Sequence, residues 1–265
     1  MGLGKQVRLR RIFSHPSGRL CSVAVDHFMI YNEGMPPGLR QMRQTLAAVM
    51  DGKPDAVTLH KGIAAALWGD YAGQVPLIIQ SSGVRPDDSS LEDMATIDES
   101  LWLGADAVAV VVFVRGKTEA IHLRRLAGYV RESAAAEMPV ICHVYPRNPD
   151  TLQVIYTPED IAWGVRCAVE VGADVVKTPY YGDPVAHRQI AEECPVPLVA
   201  AGGPKTATLR DALQMMSDVV SCGVLGATIG RNIWGDADIT GALKAFKSII
   251  HDEADADTAL KLVRS

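Results

Sequence analysis

The segment Gly172-Ala-Asp-Val-Val-Lys-Thr-Pro-Tyr-Tyr181 sets one lysine at the end of a short apolar run. Asp174-Val-Val-Lys177 reads as a buried parallel strand that Thr178-Pro179 ends. A lysine there is costly, because burial penalises the ammonium and lowers its pKa. A lysine that can be neutral near pH 7 is a nucleophile toward carbonyls and can form a Schiff base. The plainer alternative is a side chain that snorkels to solvent.

Other short segments carry polar residues where apolar runs end. These are Asp26-His27, His60-Lys61-Gly62, His143-Val-Tyr145-Pro-Arg147, Ala201-Gly-Gly-Pro-Lys205 and Gly230-Arg231-Asn232. Gly202-Gly203, leading into a helix predicted to begin near Lys205, and Gly230-Arg231 could take an anion. Exposed N–H groups at a helix start attract anions, and arginine adds a fork of donors. Asp26 and Tyr145 are candidate proton movers. Their plainer readings are a charge partner for a helix end or lysine, and a core aromatic with one hydrogen bond. Lys61 could form the Schiff base itself or depress the pKa of Lys177 by like charge, but pairing with Asp26 ranks first. His27, His60 and His143 could bind a divalent metal, yet no H-x-H or H-x-x-x-H spacing supports it.

These residues need a frame. Eight strand-length runs rich in Val, Ile and Ala recur: 20–26, 56–59, 77–80, 107–112, 140–144, 175–177, 198–200 and 224–229. They do not alternate with polar residues, which fits strands buried on both faces of a parallel sheet. Helical patterns lie between them at 38–50, 91–103, 117–137, 157–171 and 205–217. Thr157-Pro158-Glu159-Asp160 is a helix start with an N-cap, a first-position proline and acids in the first turn. Strict alternation with eight strands predicts an α/β fold, a (β/α)8 barrel over 1–265 as one domain, with a doubly wound open sheet as the alternative. Chemistry in such a barrel gathers at the C-terminal ends of the strands, and the loops after strands seven and eight are its usual phosphate site. Residues 1–15 read as a solvated basic arm, and 241–265 as a closing helix followed by a frayed acidic tail around Asp252–Asp257.

Composition narrows the function. The chain has 265 residues, 48% hydrophobic and 22% charged, with a formal net charge of -5. That balance argues against a nucleic-acid surface. Cys21, Cys142, Cys167, Cys194 and Cys222 form no C-x-x-C pair, which fits small buried thiols in a reducing, cytoplasmic setting. No apolar run has the length of a membrane span, and the basic N-terminus lacks the apolar region of a signal peptide.

The combination resembles the class I aldolases of the archaeal-type fructose-bisphosphate aldolase family. That group also contains 2-amino-3,7-dideoxy-D-threo-hept-6-ulosonate synthase. The resemblance runs over about residues 12 to 250. It rests on Val25-Asp26-His27, Leu59-His60-Lys61-Gly62, Val144-Tyr145-Pro146-Arg147, Val175-Val176-Lys177-Thr178, Ala201-Gly202-Gly203-Pro204-Lys205 and Gly230-Arg231-Asn232-Ile233-Trp234. It implies a Schiff-base lysine at Lys177, a tyrosine proton donor at Tyr145 and a strand-ending aspartate at Asp26. It implies a phosphate site at Gly202, Gly203, Gly230 and Arg231, with His27, Lys61 and Lys205 as further substrate contacts. The implied substrates are a phosphorylated ketose and an aldehyde, with no metal or organic cofactor. The implied assembly is a homo-oligomer, commonly a decamer. Neighbouring expectations are a synthase joining a ketol donor to a semialdehyde, a coenzyme A-dependent thiolase, a metal-dependent aldolase and a non-catalytic sugar-phosphate binder. Two departures stand out: Phe28 follows Asp26-His27 where the family has glycine, and Asn148-Pro149 follows Arg147 where it has glycine. Both fall at the barrel mouth, where they bear on the aldehyde.

Overall fold

A computed structural model describes residues 2–27 and 34–264. Phe28 therefore lies outside the described residues. The strands are β1 (Leu20–Ala24), β2 (Ala56–Leu59), β3 (Leu77–Gln80), β4 (Ser82–Val84), β5 (Leu91–Asp93), β6 (Ala107–Val114), β7 (Val140–Pro146), β8 (Val175–Thr178), β9 (Leu198–Ala201) and β10 (Gly226–Ile229). Eight of them close in the order β1-β10-β9-β8-β7-β6-β3-β2, while β4 and β5 form a separate antiparallel pair. β1 pairs in parallel with both β10 and β2, so the sheet has no edge and the open doubly wound alternative is excluded. The result is the expected (β/α)8 barrel.

Strand parity explains how the barrel concentrates polar groups. Side chains two residues apart share a face. The outward set, including Val23, Val57, Ile79, Val110, Val144, Val176 and Ile229, joins the main core between barrel and helices. The inward set begins apolar, with Leu20, Ala56, Ile78, Ala107, Ile141, Val175 and Val199 clustered in the lower barrel. One inward step further along the strands come Ser22, Thr58, Gln80, His143, Lys177 and Thr228, all buried. The Ser22 hydroxyl donates to Thr228 Oγ1 at 2.7 Å across that layer. The same strands are thus hydrocarbon at the bottom and polar at the top.

Around the barrel lie α1 (Leu3–Ile12), α2 (Met42–Asp51), α3 (Lys61–Leu67), α4 (Ile97–Trp102), α5 (Glu119–Ala136), α6 (Pro158–Val171), α7 (Pro184–Glu193), α8 (Leu209–Ser221), α9 (Arg231–Trp234), α10 (Ile239–Asp252) and α11 (Ala256–Leu260). The Thr157 hydroxyl accepts from the Asp160 N–H, and Gly172 closes α6 at φ 105°, a left-handed turn that favours glycine.

Four expectations are corrected. The N-terminal residues are not a solvated arm. They form α1, whose Ile12 is fully buried in the lower barrel cluster with Leu9 and Phe13 packed beside it. Lys5 pairs with Asp174 at 2.9 Å and Arg11 with Asp106 at 2.8 Å, tying the plug to the turns before β8 and β6. The predicted helix over 91–103 begins only at Ile97, because Leu91–Asp93 pairs with Ser82–Val84 across Arg85–Ser90. The helix expected from Lys205 begins at Leu209, where Thr208 and Asp211 form a reciprocal cap. The acidic tail is ordered: Asp255 caps α11, and Asp257 bonds Arg210 at 2.6 Å.

If α1 is a structural plug, Ile12→Ala is expected to lower the unfolding free energy by about 2–5 kcal/mol, read by urea denaturation. An unchanged midpoint would mean that the barrel floor closes without it.

Candidate active site

Lys177 reaches the top of the barrel from β8 with inward parity from Val175, and it is 5% exposed. Its register neighbours are His143 on β7 and Val199 on β9. Burial lowers its pKa to about 8; Asp26 opposes that shift and Arg231 adds to it. At pH 7 about a tenth of such a lysine is neutral, against well under about one in a thousand for an ordinary lysine.

A cavity of about 80 Å³ opens above Lys177. Its walls include Tyr145, His27, Gly202, Gly203, Gly230 and Arg231, so the structure gathers most of the singled-out residues around one space. Two glycines there cannot be replaced without collision. A Cβ at Gly230 would lie 2.3 Å from a His27 ring carbon, and one at Gly202 would lie 2.8 Å from the Ile229 Cα. The close packing brings the ends of β9 and β10 together. The Arg231 guanidinium donates to the Gly203 carbonyl at 3.0 Å, which sets it across the two loops.

Asp26 sits just past β1 and is 4% exposed. His27 Nδ1 stands 3.4 Å from Asp26 Oδ1. Burial favours the neutral acid, but the His27 hydrogen bond and the electrostatic contributions of His27, His60 and Lys177 outweigh it. The carboxyl is held well below the usual carboxylate range. His60 reaches across to that segment, with Nε2 3.0 Å from the Asp26 carbonyl and Nδ1 3.1 Å from the Gln80 carbonyl. Beside Lys177, burial and the lysine charge push the His143 imidazole well below 6.5, so the ring is neutral. Among the described residues no group of three or more His, Cys, Asp or Glu side chains could hold a metal ion.

Two sequence-selected lysines lie elsewhere. Lys61 does not pair with Asp26; its ammonium lies 2.5 Å from Glu99, and that carboxylate also caps α4 through Thr96. Lys205 is exposed and donates to the Gly235 carbonyl at 3.1 Å, outside the cavity walls. Tyr145 is half-buried within β7, which runs two residues further than expected, and its ring lies 6.1 Å from Phe113. Asn148 shapes the following turn by accepting from the Asp150 and Thr151 N–H groups at 2.9 and 3.0 Å.

Several residues to which the sequence alone gave no role matter here. Asn232 is buried and donates to the Gly202 and Pro204 carbonyls at 3.0 and 2.9 Å, while its carbonyl accepts from Thr206 N–H at 3.1 Å. It stitches the loops after β9 and β10 together. The Trp234 indole donates to the Ala24 carbonyl at 3.0 Å and joins the last strand's loop to the first strand. Tyr156 and Tyr180 also line the cavity. The string Gly230-Arg231-Asn232 was the available signal for Asn232; the tyrosines had none.

Residues 20–236 match the family model described as the DeoC/LacD family aldolase. A 2-amino-3,7-dideoxy-D-threo-hept-6-ulosonate synthase of Halobacterium salinarum is 29% identical, covering 97% of this chain and 95% of that protein. A class 1 fructose-bisphosphate aldolase of Thermoproteus tenax is 30% identical over 91% of this chain and 92% of its own length. The structure superposes with a TM-score of 0.83 on an archaeal fructose-1,6-bisphosphate aldolase whose catalytic Lys is covalently bound to a carbinolamine of its substrate. That pair shares 26% identity, with 93% of this chain and 99% of the other covered. No helix among the described residues is long and apolar enough to cross a membrane.

Condensation of Lys177 with a small carbonyl probe such as dihydroxyacetone, trapped by cyanoborohydride and read by peptide mass, should speed up as pH rises through a midpoint near 8. Asp26 raises the Lys177 pKa, so Asp26→Asn should move that midpoint to lower pH. A midpoint near the ordinary lysine value of about 10.4 would contradict the burial argument.

Proposed function

This chain belongs to the DeoC/LacD family of aldolases, and we propose that Lys177 is its Schiff-base residue, acting on a phosphorylated ketose. It is a class I aldolase, one that works through a lysine imine. The observation that carries the assignment to Lys177 is its burial in the cavity wall, with a pKa near 8, together with the glycine loops and Arg231.

The steps follow from that geometry. Neutral Lys177 attacks the C2 ketone and gives a carbinolamine. Tyr145 supplies the proton with which the C2 hydroxyl leaves as water, and an iminium remains. That cation accepts the electron pair when the C3–C4 bond breaks, which gives an enamine. Asp26, held ionised, takes the proton of the C4 hydroxyl as the aldehyde departs. Protonation of the enamine at C3 and return of water release dihydroxyacetone phosphate and restore the lysine. Arg231 with the N–H groups around Gly203 and Gly230 would hold the phosphate. This fixes C2 against Lys177 and is a positioning contribution. Acid–base help of the kind assigned to Tyr145 and Asp26 contributes about 10²–10⁴-fold.

The same enamine can be captured by an aldehyde, so synthesis is the second reading. The Halobacterium synthase, aligned over nearly the whole chain, supports it. The cellular setting belongs to the same proposal. Five free thiols support a reducing, cytoplasmic location. Exposed Trp102 on α4 and Leu3 and Val7 on α1 support a homo-oligomer, a decamer in the resemblance.

Borohydride reduction in the presence of dihydroxyacetone phosphate should add the reduced ligand to Lys177 alone. Tyr145→Phe should lower kcat by about 10²–10⁴-fold while leaving an adduct that forms more slowly. Full activity in Lys177→Ala, with no adduct on Lys177, would sink the proposal.

A further inference from the structure

Arg147 is fully buried and stands two residues past Tyr145, at the end of β7. A guanidinium is costly to take out of water and is kept inside only where charge and hydrogen bonds satisfy it. Arg147 is not a wall residue of the cavity above Lys177. Its partners lie instead on the β4–β5 hairpin.

The guanidinium donates to the Pro86 carbonyl and, at 2.5 Å, to Asp88, both in the turn between β4 and β5. It also donates to the Thr118 hydroxyl, which in turn donates to Asp88 at 3.1 Å. Burial favours the neutral acid at Asp88, but the Arg147 bond and charge hold the carboxyl below its usual range, so the pair is ionic at pH 7. Asp88 takes a φ of 58°, a left-handed conformation that a non-glycine residue adopts at a cost. The other end of the hairpin is tied down separately. Arg125 pairs with Asp93 at 2.6 Å, and Ser82 Oγ accepts from the Val111 N–H at 2.8 Å. Arg147 thus fixes the tip.

The apolar side of the same hairpin meets Tyr145. Val84 of β4 forms one buried cluster with Val111 and Phe113 of β6, and Leu91 of β5 and Tyr145 pack against it. Phe113 is the register partner of Tyr145, with the rings 6.1 Å apart. The Arg147 guanidinium lies over the same Phe113 ring at 4.8 Å, and His122 of α5 meets that ring edge-on at 5.5 Å. Burial and the Arg147 charge push the His122 pKa down to about 4, so the imidazole is neutral and adds no second cation beside the guanidinium. One arginine therefore holds both the hairpin tip and the ring beside which Tyr145 stands. Tyr145 itself lines the cavity.

We propose that Arg147 is a positioning residue for proton transfer: through Asp88 and Phe113 it seats the Tyr145 ring and so sets where the Tyr145 hydroxyl stands relative to a substrate bound at Lys177. The inference rests on the preceding reading of Tyr145 as the proton donor. A misplacement of about 1 Å at a reacting group can cost about 10²-fold, so a seat of this kind reaches the rate without touching the substrate.

The test is the loss of 18O from C2 of labelled dihydroxyacetone phosphate, a step in which the C2 hydroxyl must be protonated to leave, followed as a function of ligand concentration. Arg147→Lys, Asp88→Asn and Phe113→Leu are each made alone and in Tyr145→Phe. With Tyr145 present, each should lower the maximal rate by about tenfold and change the half-saturating concentration by less than about twofold. In Tyr145→Phe, already slow, none should lower the rate further by more than about twofold, because the group they position is gone. Equal losses in both backgrounds, or an unchanged maximal rate with Tyr145 present, overturns the inference and leaves Tyr145 as proton donor standing. Phe113→Leu keeps the buried ion pair intact, so the comparison still decides if the charge variants fail to fold. Full exchange in Tyr145→Phe is failure of the underlying reading, and the inference falls with it.

Discussion

The removal of one ammonium group from water is the constraint on which the rest depends. A lysine at the end of a barrel strand has two ways out of the cost: it can reach solvent or give up its proton. Lys177 is 5% exposed, so the first route is closed and its hold on the proton weakens. The lower barrel helps to enforce this. Leu20, Ile78, Ile141, Val175 and Val199 fill it with hydrocarbon, and Ile12 of α1 closes it from below. An apolar floor under a polar ceiling is what parity along the strands produces. The dry floor is therefore part of the chemistry of the ceiling.

Two charges then set the balance at Lys177. Asp26 stabilises the ammonium and works against nucleophilicity, whereas Arg231 disfavours it. Burial is the largest contribution, and the outcome is a pKa of about 8. The same Asp26 stays ionised because His27, His60 and Lys177 surround it. A lysine that can be neutral and a carboxylate that remains charged thus coexist at the ends of β8 and β1, which β9 and β10 separate in the barrel order. Asn232 serves this arrangement indirectly: by bonding the Gly202 and Pro204 carbonyls it holds the loop that faces Lys177.

The strands were legible because a parallel barrel buries both faces, and runs such as Ala107–Val112 leave little other use for so many β-branched residues. The face that carries the candidate site was legible for the same reason, since strand ends can be read once strands can. What escaped depended on partners distant in sequence. Leu91–Asp93 continues into a helical pattern, and only its pairing with Ser82–Val84 makes it a strand. The basic N-terminus looked solvated because Asp174 and Asp106, which hold Lys5 and Arg11, lie far along the chain. Lys61 was assigned to Asp26 by proximity of strand ends, but Glu99 at the start of α4 competes for it at 2.5 Å. Tyr156 and Tyr180 carried no motif, and their place in the cavity follows from loop paths alone.

An iminium requires that the ketone oxygen leave as water and that a solvent oxygen return. Incubation of the enzyme with dihydroxyacetone phosphate in H2-18O, with the C2 oxygen followed by mass spectrometry, reports that step without any acceptor. The account predicts label entering C2 well above the uncatalysed rate, with Lys177→Met reduced to that rate. Retention of the original oxygen during aldol turnover, or undiminished exchange in Lys177→Met, would contradict it.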